Sequence, residues 1–247
     1  MIEYIFLGII QGVLEWLPIS SEAFIVIVSQ IFSVDANYID VALFLHLGTL
    51  MAVVTYFYKD WIDILLLRNR DLFTFILYAT IASIVTGLPT YLLVREAAIG
   101  PYILLIIGLG FIVTTILNKW SGPGIGRGVD QRKLAVITGL LQGIAVIPGI
   151  SRSAITMFSL SMGRLKPHEI LKLSYLISVP VVVLSTIYLT TNTPLVLKAW
   201  PALPTAYITG LATLKTLLAI AKKLKTYILT LILAIITLLG AIAIVLL

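Results

Sequence analysis

The run Pro148-Gly149-Ile150-Ser151-Arg152-Ser153-Ala154-Ile155-Thr156 sets a guanidinium, three hydroxyls and a helix-breaking Pro-Gly inside an apolar stretch. Arg152 is the only charged residue between Leu134 and Gly163. An arginine at bilayer depth costs about 2.5–3.5 kcal/mol even on lenient insertion scales, which marks it as a functional group facing protein or water. The competing reading is an interfacial arginine that snorkels to head groups. Charges flank the stretch only at its ends, which favours the functional one.

A second run has the same skeleton. Gly8, Gln11, Gly12, Pro18, Ser20 and Ala23 recur as Gly139, Gln142, Gly143, Pro148, Ser151 and Ala154, at a spacing of 131, or 130 at the proline. In both runs, serines follow the break and precede a new apolar segment. Serine is a favoured N-cap, so Ser20 and Ser21 are expected to cap a half-helix starting near Glu22. Ser151 and Ser153 are expected to cap one starting near Ala154. The free amides and dipole of such a tip attract anions, and a planar guanidinium suits phosphate. The chemistry these residues imply is therefore a phosphate or diphosphate site within the membrane. Glu15 and Glu22 are out of place in a pure anion receptor. A carboxylate beside phosphates implies a bridging divalent cation or a general base. The plainer readings are a neutralising Glu15–Arg152 salt bridge and a Glu22 that complements its helix dipole.

The elements that must position these groups follow from composition. The chain has 247 residues, 60% hydrophobic and 11% charged, with mean hydropathy +1.11. Soluble domains run about 45–50% apolar and about 25% charged, so this is a polytopic helical membrane protein. There is no cysteine, which excludes disulfides, thiol nucleophiles and thiolate metal sites. Glu3 stands where a signal peptide carries Lys or Arg, so the start reads as mature sequence. Net charge is +6, but the basic residues sit in short loops, a topology signal rather than a nucleic-acid surface.

Apolar spans are expected at about 41–58, 72–94, 99–118, 170–190, 203–221 and 226–247, with broken stretches at 4–34 and 134–163. Loops 59–71, 119–133, 164–169 and 222–225 hold twelve Lys and Arg, whereas 31–40, 95–98 and 191–202 hold two. The positive-inside rule places the first group in the cytoplasm. Loops 119–133 and 164–169 then share a side, so 134–163 must enter, turn at Pro148-Gly149 and leave where it came in. Such irregular backbone is tolerated only when buried in protein or lining a wet cavity. The expected fold is all-α, one membrane domain over 1–247. Its two halves, about 1–118 and 134–247, each contain a re-entrant hairpin and three spans. Three crossings invert the second half, giving an inverted-topology repeat of about six transmembrane helices with its site near the midplane.

The two motifs resemble those of the undecaprenyl-diphosphatase (bacitracin-resistance) family. The resemblance rests on Gln11-Gly12 through Ser20-Ser21, Leu47-Gly48-Thr49, Gln142-Gly143 through Thr156, and Ser174 to Pro180. It implies hydrolysis of a polyprenyl diphosphate to the monophosphate in the cell membrane, recycling a lipid carrier. It also implies an outward-opening site, a divalent cation (Mg²⁺ or Ca²⁺) and a homodimer. Carried over by residue, it makes Glu15, Ser21 and Arg152 catalytic, with Ser21 as the proposed nucleophile and a metal-bound water as the alternative. Ser20, Gly149, Ser151, Ser153 and Thr156 become substrate contacts, and Glu15 and Gln11 metal ligands. This chain departs from the pattern twice. Gln11 stands where the family has the first acid of Glu-x-x-x-Glu. Phe24 stands where a histidine is expected, which leaves Glu22 or His46 for proton transfer. For His46 the plain reading is a helix histidine bonded to a neighbour. A transporter of polyprenyl phosphate is the rival that the same architecture allows.

Overall fold

A computed structural model describes residues 1–97, 102–120, 129–163, 165–220 and 226–246. The Gly-rich stretch 121–128 and the topogenic residues Arg127, Arg164, Lys222, Lys223 and Lys225 lie outside them. Every regular element among the described residues is helical. The first half runs α1 (Ile2–Leu14), α2 (Ser21–Ile31), α3 (Tyr38–Tyr56), α4 (Tyr58–Leu65), α5 (Arg70–Ala97) and α6 (Ile103–Trp120). The second runs α7 (Gln131–Ile144), α8 (Arg152–Leu160), α9 (Pro167–Leu176), α10 (Ser178–Asn192), α11 (Ala202–Ile220) and α12 (Thr226–Leu246). Among the described residues, α3, α5, α6 and the combined α9–α10 rod are long and apolar enough to cross a membrane. With 19 and 21 residues, α11 and α12 also have the length of a span.

The hairpin helices do not. At 13 and 14 residues, α1 and α7 rise about 20 Å, against about 30 Å of hydrocarbon. Each packs on its own second limb, α2 or α8, and on the long helix of the opposite half. A Cβ on Gly12 of α1 would lie 1.9 Å from Thr209 Oγ1 and 2.6 Å from Gly210 N of α11. One on Gly143 of α7 would lie 2.1 Å from Thr86 Oγ1 and 2.5 Å from Ser83 O of α5. The repeated glycines are thus the small-residue faces that let backbones approach inside a membrane. Hydroxyls on the long helices bond the hairpin carbonyls: Thr213 to Gly12 O at 2.6 Å, and Ser83 and Thr86 to Gly139 O and Leu140 O at 3.0 and 2.8 Å. The two halves interlock through a contact that each makes with the other.

Ion pairs between segments respect the expected sides. Asp40–Arg95 and Asp35–Lys198 join segments assigned outside, and Asp60–Lys172 joins a loop assigned inside to the adjoining end of the span expected at 170–190. Two loops are more ordered than their polarity suggests. Loop 59–71 contains α4, which turns Ile64 and Trp61 onto Phe57 and Ile76. Loop 191–202 contains a 3-10 turn at Pro194–Ala199, seated through Val196 and Ala199.

Candidate active site

Both hairpins break where serine caps a new helix. Ser20 Oγ accepts the amide of Ala23 at 3.4 Å, and Ser151 Oγ that of Ala154 at 3.3 Å. The helices start one or two residues earlier than the sequence suggested, at Ser21 and Arg152, so Ser21 is released from capping. The two tips are then stitched together. Gly149 N–H donates to Ser20 Oγ at 3.0 Å, and Ser153 Oγ donates to Leu17 O at 3.1 Å. Thr114 of α6 donates to Gly149 O at 2.6 Å and accepts Ser151 N–H at 2.8 Å. Asn118 Nδ2 donates to Pro18 O at 2.7 Å. Gly149 has φ +97°, and a Cβ there would meet Ile107 O at 2.3 Å, so glycine is required.

The stitched tips bring the charges together. Arg152 Nη2 pairs with Glu15 Oε1. Glu15 Oε2 accepts Gln11 Nε2 at 2.7 Å and Ser21 Oγ at 2.9 Å, and lies 3.2 Å from His46 Nε2. His46 Nε2 is also 3.8 Å from Glu22 Oε1, while its Nδ1–H donates to Ala42 O at 2.8 Å. Thr49 closes the ring, accepting Gln11 Nε2 at 3.3 Å and donating to His46 O at 3.1 Å. Glu15 and His46 are each 5% exposed. Glu15 does neutralise Arg152, as the plain reading held. Yet Nε and Nη1 of that guanidinium are buried without a partner among the described residues. Buried unpaired donors cost about 1–3 kcal/mol each, so a side chain serving only as a counter-ion would not be left this way.

The predicted residues therefore fall into three sets. Gln11, Glu15, Ser21, Glu22, His46 and Arg152 form one cluster. Ser20, Gly149, Ser151 and Ser153 hold the tips, with the Gly149 amide already spent on Ser20. Thr156 stands apart, its hydroxyl bonded to Arg152 O at 2.8 Å and Ser174 Oγ at 2.6 Å, bracing α8 on α9. Thr114 and Asn118 carried no signal in the sequence, because isolated polar residues in a span look like any others. Thr49 lay within a resembling motif but had no role attached.

From Glu22, His46 and Arg152 a groove of about 310 Å³ runs between α3, α5, α7 and α10, walled by Leu43, Ile84, Leu88, Val146 and Val182 and ending at Tyr91 and Tyr188. The space related to it by the repeat is filled. There Trp16 packs edge-to-face on Tyr175 (5.2 Å between centroids) among Ala52, Val53, Val179 and Leu214, its Nε1–H on Gly210 O at 2.8 Å.

A family model described as bacitracin resistance protein BacA matches residues 4–241. The chain belongs to that family. A protein named undecaprenyl-diphosphatase from Methanococcoides burtonii is 34% identical over 242 residues, 90% of this chain and 91% of the relative. Proteins of the same name from Korarchaeum cryptofilum (31% over 241 residues, 90% of each chain) and Methanopyrus kandleri (38% over 187 residues, 70% of this chain and 68% of the relative) are similar too.

In this member of the bacitracin resistance family, Phe24 turns its ring onto Phe111, 6.2 Å away edge-to-face, and packs in the apolar core. The imidazole beside Glu15 and Glu22 is His46, reaching in from α3. Among the described residues no three His, Cys, Asp or Glu side chains are set to hold a metal. Glu15, expected as a ligand, has both oxygens engaged by Arg152, Gln11, Ser21 and His46. Gln11 Oε1 is buried without a partner among the described residues, and Glu22 lies 3.8 Å from His46 Nε2. That donor set fits a hard cation that takes most of its ligands from substrate phosphates and water.

Proposed function

We propose that this chain hydrolyses undecaprenyl diphosphate, or a closely similar polyprenyl diphosphate, to the monophosphate and inorganic phosphate in the cell membrane. One observation carries the reading. Arg152, whose Nε and Nη1 donors are buried without a partner among the described residues, lines an apolar groove, a layout complementary to a lipid with an anionic head. The names of the relatives point the same way. The filled space around Trp16 and Tyr175 favours a hydrolase with one entrance over a transporter with two.

In this reading Arg152 holds the terminal phosphate and stabilises the charge gathered on its oxygens in the transition state. Ser21 Oγ attacks the terminal phosphorus as its proton passes to Glu15 Oε2, the acceptor it already faces. The bridging P–O bond breaks and polyprenyl monophosphate leaves. Water then attacks the phosphoserine, its proton passing to the adjoining His46–Glu22 pair, while Glu15 returns the first proton to Ser21 Oγ as the Ser–O–P bond breaks and phosphate leaves. Glu22 and Gln11 would hold a divalent cation, which supplies charge neutralisation to the diphosphate. Pairing of two copies is carried over from the resemblance and is tested by light scattering in detergent. The activity is tested by phosphate release from undecaprenyl diphosphate by the purified protein, with Mg²⁺ and with chelator. Release by the wild type and none by Arg152→Ala is expected. Wild-type turnover in that variant would end the assignment.

A further inference from the structure

The groove's outer end is built more rigidly than a lipid-facing surface requires. Tyr91 of α5 is 5% exposed, so its ring faces protein rather than lipid head groups, unlike that of a belt tyrosine. Its hydroxyl donates to Asp40 Oδ1 of α3 at 2.7 Å, and Arg95 grips both oxygens of Asp40 at 3.1 Å. Asn37, which caps α3, also donates to Arg95 O at 3.4 Å. Tyr188 of α10 closes the remaining gap, its ring edge-to-face on Tyr91 at 5.8 Å. With Asp40 buried and Arg95 only half-buried, the pair adds little stability and is better understood as fixing geometry. What it fixes here is the place where the groove stops.

Resting on the function proposed above, we infer that Tyr91 and Tyr188 are the end-stop of the isoprenoid groove and set how much of the chain is recognised. The occupant is the part of the lipid nearest its diphosphate, because the groove joins the Arg152 site at one end and is apolar along its wall. Eight residues of α5 separate Ser83 from Tyr91, and ten of α10 separate Ser178 from Tyr188, about 12 and 15 Å of helix. Extended chains advance about 1.15 Å per backbone bond, so a four-bond isoprene unit covers about 4.6 Å. The groove therefore reads about three units. Before the rings a longer chain turns out between α5 and α10, over the exposed Ile84, Leu88 and Leu184 on the groove's open side. The tail is already in hydrocarbon, so selection rests on packing against the rings rather than on removal from water.

The test is internal competition among prenyl diphosphates of two, three, four and eleven units in the same detergent micelles, reading relative kcat/KM. In the wild type the value rises from two to three units and stays level beyond. In Tyr188→Ala the three-to-two ratio falls by about threefold or more, since the third unit loses its contact. Tyr91→Phe, which keeps the ring but frees it from Asp40, lowers the ratio less. A ratio unchanged in both variants, including one left intact by a uniform loss of activity, or a wild-type preference that climbs steadily to eleven units, overturns the inference. Wild-type protein that releases no phosphate from any chain length sinks the function itself, a separate result.

Discussion

Ser21 Oγ donates to Glu15 Oε2 at 2.9 Å, so a hydroxyl and the carboxylate that can take its proton are already aligned before substrate arrives. Ser21→Ala is expected to lower kcat by three orders of magnitude or more, as is Glu15→Gln, which keeps the shape but cannot accept a proton. Because the two act as a unit, the double variant should be no worse than either single one. Additive losses, or a Ser21→Ala protein retaining a tenth of its turnover, would transfer the attack to water. Quantitative phosphate release in detergent decides it.

Arg152 presents a second arrangement that chemistry and stability read differently. Removing it leaves Glu15 buried without its counter-ion, a loss of about 3–5 kcal/mol. Removing both charges as Glu15→Gln/Arg152→Met should restore most of the melting temperature and none of the activity. Arg152→Lys keeps the charge but not the fork, and should fall about 10²–10³-fold in kcat/KM. Thermal unfolding and phosphate release, measured on the same preparations, separate the two roles. Full activity in Arg152→Lys would reduce the guanidinium to a point charge.

The imidazole at the site comes from α3, not α2. His46→Ala is expected to lose about 10²-fold or more in kcat with a smaller change in KM, because its ring pairs with Glu15 and Glu22 where the groove meets the cluster rather than along the groove's apolar length. Adding Phe24→His to that variant should not rescue it, since position 24 points its side chain at Phe111 and the apolar core. Recovery in the double variant would mean that α2 turns during the reaction.

Much of this arrangement was legible from types and spacing. The repeated Gly, Gln, Pro and Ser marked both hairpins, and Arg152 stranded in apolar sequence could only be answered by a carboxylate such as Glu15. What stayed hidden depends on where helices begin and on which neighbours fill space. His46 lies eight residues into α3 because that helix starts at Tyr38 under the Asn37 cap, deeper than the apolar pattern suggested. The stitch from Thr114 to Gly149 and Ser151 links residues 35 and 37 apart that share no motif. Nor does a repeat reveal its own asymmetry. Only packing shows that Trp16 fills one of the two related spaces while Val146 leaves the other open.

That asymmetry sits on a symmetric foundation, the glycine faces of α1 and α7. A methyl on Gly12 or Gly143 would land on both a threonine hydroxyl and backbone atoms of α11 or α5, and backbone cannot rotate away as a side-chain tip can. Gly12→Ala and Gly143→Ala are each expected to destabilise by about 1–3 kcal/mol, the usual cost of overpacking. Their effects on catalysis should differ. Gly12 lies one turn before Glu15, so pushing α1 off α11 displaces the base and lowers kcat. Gly143 lines the groove beside Ser83 and Gln142, so pushing α7 off α5 alters the chain's berth and raises KM. Melting curves in detergent should show comparable losses in the two variants, and steady-state kinetics should split them between kcat and KM. Identical kinetic defects would mean that the hairpins move as one body and that the groove and the catalytic cluster are not separable.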